Sequence, residues 1–330
     1  MDPPDREETV KAIVHHKYGS ADVLELEDID KPAVNDDGVL VRVRAASVNA
    51  FDWHIMRGLP YLVRTSEGLR KPKRTVAGVD VAGHVEAVGK DVTRFQPGDE
   101  VFGERGGAFA EYVHGKENNF ALKPANLTFE QAAAVPMAGF TALQALRDKG
   151  HVQAGQRVLI NGAAGGVGTF SVQIAKAFGA DVTGVCNTRN VDMIRSIGAD
   201  RVIDYTREDF TRNGQRYDLI LDVAANRSLS DCRRVLDSNG TLVVVGAPDG
   251  QWLAPVARLV TAVLLSRIGS RKMLPFLANF ANDDLIVLKE LIETGKVTPV
   301  IDKTYPLSEA PEAIRHVETG HPQGKVVITL

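Results

Sequence analysis

The sequence predicts an α/β protein in which a doubly wound parallel sheet is joined to a β-rich domain. From residue 157 onward, strand-like runs alternate with helix-like runs, and this order builds parallel sheets. Those strand-like runs are apolar on both faces, as strands covered by helices on both sides must be. Before about residue 127, short β-prone runs end at glycine, proline or aspartate, which is typical of a compact β domain.

The composition narrows the class of protein. Of the 330 residues, 44% are apolar and 25% are charged, which is typical of a globular protein in water. A net charge of -3 gives no bulk attraction to nucleic acid or to an anionic membrane. The two cysteines, Cys186 and Cys232, are too few for a disulfide framework or a four-cysteine zinc site. The start, MDPPDREETV, lacks the apolar region of a secretory signal, so we expect a cytoplasmic protein.

The first third of the chain predicts five strands and then a helix. The strand-like runs are KAIVHHKYG, VLVRVRAASVN, VAGHVEAVG, DEVFG and FAEYVHG. The segment LTFEQAAAVPMAGFTALQALRD that follows is helix-prone, with Thr128 as its N-cap and Glu130 and Gln131 in the first turn.

The βαβ region predicts further strands and helices in alternation. The strands are RVLI, DVTGVC, RVIDY, YDLILDV and TLVVVGA, and the helices between them are TFSVQIAKAFG, NVDMIRSIG and SLSDCRRVL. The apolar run at 252–268 contains two arginines and a proline, so we predict a buried or partly buried helix, with peripheral membrane contact as the alternative. A late strand in RKMLPFLANF, a helix in DDLIVLKELIETG and a strand in GKVVITL complete the chain.

The loop NGAAGGVG joins the first of these strands to its helix. Its pattern Ala163-x-Gly165-x-x-Gly168 is a version of the dinucleotide-binding fingerprint. Small residues permit the tight turn and the close approach of backbone N–H groups to a pyrophosphate, and Gly168 permits close packing of the helix on the strand. We therefore expect the pyrophosphate to contact Ala164, Gly165, Gly166 and Val167.

The end of the second strand indicates which dinucleotide binds. NAD-binding versions place an acidic residue there to hold the ribose hydroxyls. This strand ends instead in Cys186, Asn187, Thr188 and Arg189, with no carboxylate before Asp192. A 2′-phosphate suits such a site, so NADPH is expected over NADH, and the alternative is that Arg189 points into solvent.

Other strand ends supply the rest of the expected cofactor site. Ligands of open α/β sheets bind at the carboxyl ends of the strands. Tyr205 is expected to cover the adenosine from a neighbouring strand. The residues that follow two further strands are also expected at the cofactor: Val223, Ala224, Val245, Gly246 and Ala247.

Segments along nearly the whole chain carry a family resemblance: AASVNAFDWHIMRG, VAGVDVAGHVEAVG, FQPGDEVFG, GAFAEYV, AAAVPMAGFTALQAL, NGAAGGVGTFSVQIAKAFGA, IGADRVIDY and GKVVITL. The sequence resembles the zinc-independent quinone oxidoreductase group of the medium-chain dehydrogenase/reductase superfamily, and within it the reticulon-interacting oxidoreductase type. The resemblance implies a GroES-like catalytic domain, formed by residues 1–126 and a C-terminal return at 279–330. It also implies a Rossmann NADP-binding domain at 127–278 between them, a cofactor in the cleft, and a homodimer.

The resemblance also argues against a metal. Zinc-dependent relatives place a cysteine where this chain has Asn49-Ala50-Phe51-Asp52, and a Gly-His-Glu where it has Gly78-Val79-Asp80. Neither stretch offers the thiolate or imidazole that catalytic zinc requires, and His84 and Asp80 alone are more typical of structural residues. We predict no metal.

Several site residues follow from the family's motifs. Asn49 is expected beside the nicotinamide and substrate, and Met137 and Thr141 near the nicotinamide. Lys325 is expected to reach the cofactor cleft, with a salt bridge as the alternative. Family members carry tyrosines soon after the asparagine, whereas this chain has His54 and Pro60 at those offsets and Tyr61 one position late. His54 and Tyr61 are therefore candidates for donating a proton or hydrogen bond, against ordinary surface packing.

The predicted activity is hydride transfer from NADPH to a quinone or an α,β-unsaturated carbonyl, acceptors that delocalise the incoming charge without a metal. Residues 251–282 are expected to shape the acceptor pocket. One alternative is an enoyl-thioester reductase, with a basic group available for a phosphopantetheine or coenzyme A: Arg258, Arg267, Arg271 and Lys272. The other is a dinucleotide-binding sensor or partner protein with little turnover, an alternative that the missing tyrosines leave open.

Overall fold

A computed structural model describes residues 8–246, 253–267 and 269–330. Its strands are β1 Thr9–Val14, β2 Glu25–Asp30, β3 Gly38–Val48, β4 Asp80–Val88, β5 Glu100–Glu104, β6 Tyr112–Lys116, β7 Phe120–Leu122, β8 Arg157–Asn161, β9 Asp181–Cys186, β10 Arg201–Asp204, β11 Tyr217–Asp222, β12 Leu236–Val244, β13 Lys272–Pro275, β14 Ile301–Pro306 and β15 Lys325–Thr329. Its helices are α1 Ala50–Arg57, α2 Arg64–Glu67, α3 Phe129–Ala133, α4 Pro136–Gln144, α5 Gly166–Ala177, α6 Val191–Ser196, α7 Leu229–Arg234, α8 Leu253–Ser266, α9 Asn282–Glu293 and α10 Ala310–Glu318.

The predicted parallel sheet is confirmed. Strands β8 to β13 pair in the order β10-β9-β8-β11-β12-β13, and each neighbouring pair is parallel. The order reverses direction between β8 and β11. At such a switch point the loops after neighbouring strands diverge and leave a crevice for a ligand. This is a doubly wound, Rossmann-type sheet.

The second sheet combines the beginning and the end of the described chain. Its strands pair in the order β14-β15-β3-β4-β5-β7, and β6 pairs with β3. Strand β15 runs antiparallel to β3 and places Val326 opposite Val48. The two strands share a core with α10, in which Val48, Ile314 and Val326 are buried. The C-terminal segment is therefore an interior part of the β-rich domain.

The helix expected from Thr128 onward is two helices. The Thr128 hydroxyl accepts the Gln131 backbone N–H at 3.3 Å, so the predicted N-cap is confirmed. The helix then breaks, because Pro136 has no N–H for a helical hydrogen bond and fits the first turn of a new helix, α4. The predicted late strand is limited to β13 and ends at Pro275, which cannot extend the ladder as a donor.

Helix α8 carries an exposed apolar stripe. Val260, Val263 and Leu264 are 53%, 44% and 54% exposed and follow helical spacing. In the described ranges, no helix is both long enough and apolar enough to cross a membrane.

The two sheets meet at the phosphate loop. Gly324 forms a parallel bridge with Gly165, and its N–H donates to the Ala164 carbonyl at 2.8 Å. A Cβ on Gly324 would lie 2.3 Å from the Val300 carbonyl oxygen, and its φ of +93° also favours glycine. The segment before β15 is thereby held against the start of α5.

Candidate active site

The glycines of NGAAGGVG have separate roles. A Cβ on Gly168 would lie 2.1 Å from the Gly162 carbonyl oxygen, so close packing of α5 on the loop requires glycine there. A Cβ on Gly165, the N-cap of α5, would have its nearest neighbour 3.9 Å away. On Gly166 it would meet the Lys325 side chain at 2.8 Å. The loop is therefore open toward a ligand at Gly165 and closed by Lys325 at Gly166, while Val167 is half-buried.

A groove of about 320 Å³ lies in front of this loop, at the switch point of the sheet. Its volume is in the range of cofactor sites. Of the predicted residues, it is lined by Ala164, Gly165, Cys186, Asn187, Tyr205, Val223 and Ala224. The prediction lacked the polar residues Asn161, Asn190 and Asn226, and the loop residues Gly320, His321 and Pro322.

The groove fits a dinucleotide by its chemistry as well as its size. The Asn187 Oδ1 atom is buried and has no hydrogen-bond partner among the described residues. A buried polar atom of this kind is normally satisfied by a ligand or water. Gly165, at the N-terminus of α5, would hold the pyrophosphate with the helix's unpaired N–H groups. Asn187 and Tyr205 line the end expected to receive the adenosine.

Two contacts at the adenosine end were not predicted. The Arg189 guanidinium reaches across the groove and donates to the His321 carbonyl at 2.5 Å. Arg189 is exposed, so it faces solvent, and its bond to the His321 carbonyl also joins the two sides of the groove. Thr188 donates its hydroxyl to Asp204 at 2.6 Å.

Asp204 corrects part of the argument for NADPH. It lies on β10 in register with Cys186, so a carboxylate stands beside the end of β9 although none occurs there in sequence. Hydrogen bonds from Thr188 and Thr206 hold the pKa of Asp204 below its usual value. This ionised group would oppose a 2′-phosphate, whereas Arg189 would attract it.

The other predicted strand-end residues lie near the crevice. Val245 and Gly246 donate their N–H groups to the Asp222 carbonyl at 3.1 and 3.0 Å. A Cβ on Gly246 would lie 2.0 Å from the Val223 carbonyl oxygen, which explains the glycine. Ala247 and residues 251 and 252 of the expected acceptor pocket lie outside the described residues.

A buried polar cluster, which we call the Asn49 cluster, lies where β3 leads into α1. It consists of Ser47, Asn49, Asp80 and Lys325, which are 0–7% exposed. Asn49 is the N-cap of α1, but its amide does not cap the helix: Nδ2 donates to Asp80 at 2.9 Å. Its Oδ1 accepts from Lys325 Nζ at 2.5 Å. The structure thus brings the predicted residues Asn49 and Lys325 together.

Asp80 is the common acceptor of this cluster. It receives Ser47 Oγ at 2.8 Å and the Met137 backbone N–H at 3.0 Å, and it lies 3.3 Å from Lys325 Nζ. Of the two alternatives offered for Lys325, the salt bridge is present, and its contact with a bound cofactor stays a prediction. Thr141 donates its hydroxyl to the Met137 carbonyl at 2.7 Å, an interaction within α4.

Two further acids lie beside the cluster and were missed. Asp52 is 7% exposed and accepts the Asn49 backbone N–H at 2.7 Å. Burial raises the pKa of Asp52 to about 7, with a further contribution from Asp80. Burial and the charges of Asp80 and Asp52 raise the pKa of Glu104 to about 8. Asp52 stood in the quoted motif VNAFD, whereas no pattern distinguished Glu104.

The contacts described for His54 and Tyr61 lie outside the Asn49 cluster. His54 Nδ1 lies 2.8 Å from the Leu59 carbonyl, to which it must donate, and the ring packs on Trp53 with centroids 3.6 Å apart. Tyr61 packs against the Arg64 guanidinium at 4.6 Å. Their roles toward a substrate stay predictions.

A zinc ion does not fit the Asn49 cluster. No group of three potential metal ligands from histidine, cysteine, aspartate and glutamate is found within the described ranges. Asp80 is instead neutralised by the Lys325 ammonium, a cation that would repel a metal ion at this point. The neighbouring Asn49 and Ser47 offer amide and hydroxyl oxygens, which are poor zinc ligands.

The basic group considered for a thioester cofactor does not form one site. Arg258 is buried in an ion pair with Asp222, whose other oxygen accepts from Asn161 at 2.7 Å. Arg258 is thus a structural partner at the end of β11, which corrects its proposed contact with phosphate. Arg271 donates to the Asp237 carbonyl at 3.1 Å, while Arg267 and Lys272 are exposed.

Known proteins resemble this chain along nearly its whole length. Family models described as "Alcohol dehydrogenase GroES-like domain" and "Zinc-binding dehydrogenase" match residues 35–125 and 197–328. The mitochondrial NAD(P)H oxidoreductase RTN4IP1 of Mus musculus is 34% identical over 363 residues, covering 98% of this chain and 90% of that protein. The chloroplastic NADPH-dependent alkenal/one oxidoreductase of Arabidopsis thaliana is 34% identical over 337 residues, covering 97% and 79%. The solved quinone oxidoreductase of Coxiella burnetii superposes with a TM-score of 0.84 at 30% identity, covering 98% and 100%.

Proposed function

The chain belongs to the medium-chain dehydrogenase/reductase superfamily, in its quinone oxidoreductase group, and on this premise we propose an NADPH-dependent reductase of quinones or α,β-unsaturated carbonyls. It is an oxidoreductase. The observation that carries the proposal is the link between the dinucleotide groove and the Asn49 cluster. Gly324 contacts the phosphate loop, and the next residue, Lys325, binds Asn49.

In this proposal, the link relates the two ends of the bound cofactor. The groove would hold the adenosine and pyrophosphate, and the Asn49 cluster would hold the nicotinamide end. Bound NADPH supplies the hydride. The protein's task is to orient the acceptor and to stabilise the oxyanion that forms, with hydrogen-bond donors and the Lys325 ammonium as the nearby groups. No step requires zinc.

Preference for NADPH over NADH is the finer part of the proposal. Arg189 at the end of β9 and the name of the Arabidopsis relative support it. Asp204 opposes it, because a carboxylate repels a 2′-phosphate. The balance is favourable if Arg189 releases His321 and pairs with the phosphate, since an arginine–phosphate pair is stronger than a bond to a neutral carbonyl.

Turnover with a panel of acceptors tests the activity. NADPH oxidation at 340 nm is followed with simple quinones, enals and enones, with and without a chelator. We expect oxidation with at least one acceptor class, no effect of chelation, and weaker binding of NADH. Tight NADPH binding without oxidation across the panel would contradict the proposal and favour the sensor alternative. Loss of activity on chelation that zinc restores would contradict the metal-free mechanism.

We also propose a homodimer in the cytoplasm. In the described part of the chain, β13 pairs with β12 on one side and leaves its other edge available. The apolar stripe of α8, formed by Val260, Val263 and Leu264, lies in the element just before it. Sedimentation of the purified protein tests the dimer, and a monomer at micromolar concentration would contradict it.

A further inference from the structure

Three carboxylates lie in the region where α1 begins, although in the described residues they do not form a group that could hold a metal ion. Asp80 and Glu104 are opposite each other on β4 and β5, a register that places side chains on one face about 5 Å apart. Asp52 is near enough to both for their charges to interact. Within the described residues, Lys325 is the ammonium that contacts this group, through Asp80. One buried cation cannot balance the buried Asp52 and Asp80 together with the half-buried Glu104, so the group retains a proton near neutral pH.

One of these acids, Asp52, lines a small cavity. The cavity has a volume of about 30 Å³, enough for a water molecule, and Arg74 and Gly106 are among its other lining residues. A wider surface pocket shares Arg74, Val76 and Gly106 with it. The shared residues place the cavity at Asp52 next to a pocket that is open at the surface.

Other charged groups face these acids from the surrounding elements. Asp80 and Lys325 lie on the side of the Asn49 cluster, and Arg74 and His15 lie along the cavity. Arg74 is 3.6 Å from Glu67. Burial lowers the pKa of His15, so it adds no positive charge near neutral pH. Arg74 and Lys325 are thus too few to balance the charges of all three acids, so a proton remains on the acids.

The proposed reaction consumes a proton as well as a hydride. When the hydride adds to an α,β-unsaturated carbonyl, the π electrons move to the carbonyl oxygen, and the resulting enolate must be protonated. In the balanced reaction, NADPH, the acceptor and H⁺ give NADP⁺ and the reduced acceptor.

We propose that Asp52 and Glu104 store this proton and deliver it through Lys325 in the Asn49 cluster. The Lys325 ammonium gives a proton to the substrate oxyanion, and the resulting enol tautomerises to the saturated carbonyl. Asp80, which contacts Lys325 and interacts with both acids, passes their proton to Lys325, and the acids recover a proton from solvent through the cavity at Arg74. This inference rests on the proposed function. It assigns the proton source to Asp52 and Glu104, which act on the substrate through Lys325. His54 and Tyr61, the donors expected from the sequence, would instead act on the substrate directly.

Infrared spectroscopy of the cofactor-free protein tests the stored proton. We expect a carboxylic-acid C=O band at pH 7 that shifts in D₂O and disappears as pH rises through about 7 to 8. Asp52→Asn and Glu104→Gln should each reduce the band. Both substitutions keep the shape of the side chain, and Asn at position 52 can still accept the Asn49 N–H. The control Glu67→Gln changes another buried carboxylate near the cavity and should leave the band unchanged.

Stopped-flow measurement with a pH indicator tests delivery. In the wild type, NADPH oxidation in the first turnover should precede proton uptake from the bulk. In the double variant D52N/E104Q the delay should vanish, and kcat should fall about 100-fold. Wild-type activity should decline above neutral pH as the acids lose their proton, and this decline should be absent from the double variant. Glu67→Gln should keep the delay.

The outcomes separate the two proposals. A wild-type protein without the carboxylic-acid band at pH 7 would overturn the stored proton, even if NADPH is oxidised. Simultaneous oxidation and proton uptake in the wild type would overturn delivery. A band without any NADPH oxidation would overturn the proposed function and, with it, the role of the proton.

Discussion

Lys325 Nζ donates to Asn49 Oδ1 across a separation of 276 positions in the chain. The pairing of β15 with β3 creates this contact, because Val326 lies opposite Val48, which brings Lys325 at the start of β15 beside Asn49 just after β3. The contact joins the start of α1 to the segment that lines the phosphate loop. Four predictions concern this region.

Replacing Lys325 by methionine should destabilise the protein by about 3–5 kcal/mol, since it leaves Asp80 as a buried charge without its cation. The free energy of unfolding is measured by urea denaturation. The double variant K325M/D80N should lose less than the sum of its single variants, because neutral partners remove the uncompensated charge. The control Lys289→Met breaks the pair with Glu293 near the surface of α9 and should cost under about 1 kcal/mol. Strict additivity would contradict the pairing.

Alanine at Gly165 and at Gly168 should have opposite effects. Gly168→Ala should lower stability by about 1–3 kcal/mol, because its Cβ would collide with the Gly162 carbonyl. Gly165→Ala should keep the melting temperature within about 2 °C, since its Cβ points into open space, but should weaken NADPH binding at least tenfold. Thermal unfolding and fluorescence titration provide the two readouts. Normal NADPH affinity in the Gly165 variant would show that the pyrophosphate does not bind there.

Arg189→Leu should weaken NADPH binding by roughly 10–100-fold, the cost of losing a charge-assisted hydrogen bond, and leave the Kd of NADH within about twofold. Calorimetric titration with both cofactors measures this. Arg195→Leu on α6 removes an exposed arginine nearby and serves as the matched control. Equal losses for both cofactors would instead assign Arg189 to closing the groove through His321.

The acids beside the Asn49 cluster should make stability depend on pH. The folded-state pKa values of about 7 for Asp52 and about 8 for Glu104 lie above those of an unfolded chain, near ~4. The folded protein therefore holds protons that the unfolded chain releases. The contribution of these groups to the free energy of unfolding is fully present below about pH 4. It is lost as pH rises to about 8, by up to about 1.4 kcal/mol per pH unit for each group.

Urea unfolding of the wild type and D52N/E104Q at several pH values checks this dependence. The wild type should lose stability relative to the variant across this window, whereas Glu67→Gln should give a curve parallel to the wild type. Curves of equal slope for the wild type and the double variant would contradict the raised pKa values.

The elements that the sequence predicts best have strong local signals. The alternation after residue 157 places the strands of the parallel sheet, and NGAAGGVG places the loop that faces the groove, because both depend on periodicity and glycine geometry. Pro136 broke the expected helix for a reason visible in the sequence, although the prediction did not use it.

The features that the sequence does not reveal depend on neighbours that are distant in the chain. Asp204 stands next to Cys186 because β10 pairs with β9, and His321 reaches the groove because β15 returns to β3. Burial of Glu104 and the pairing of Arg258 with Asp222 likewise follow from tertiary packing. A charged residue read in isolation does not indicate whether its partner is a ligand, solvent or the protein itself.

The position of β15 between β14 and β3 also affects synthesis. The ribosome completes β3 long before it makes Lys325–Thr329, the strand that pairs with residues 45–48 at the end of β3. Until then, the nascent β-rich domain exposes unpaired backbone groups at that end of β3, which can pair with another chain. Folding of this domain during translation is therefore incomplete, and a chaperone that shields strand edges would protect the emerging polypeptide.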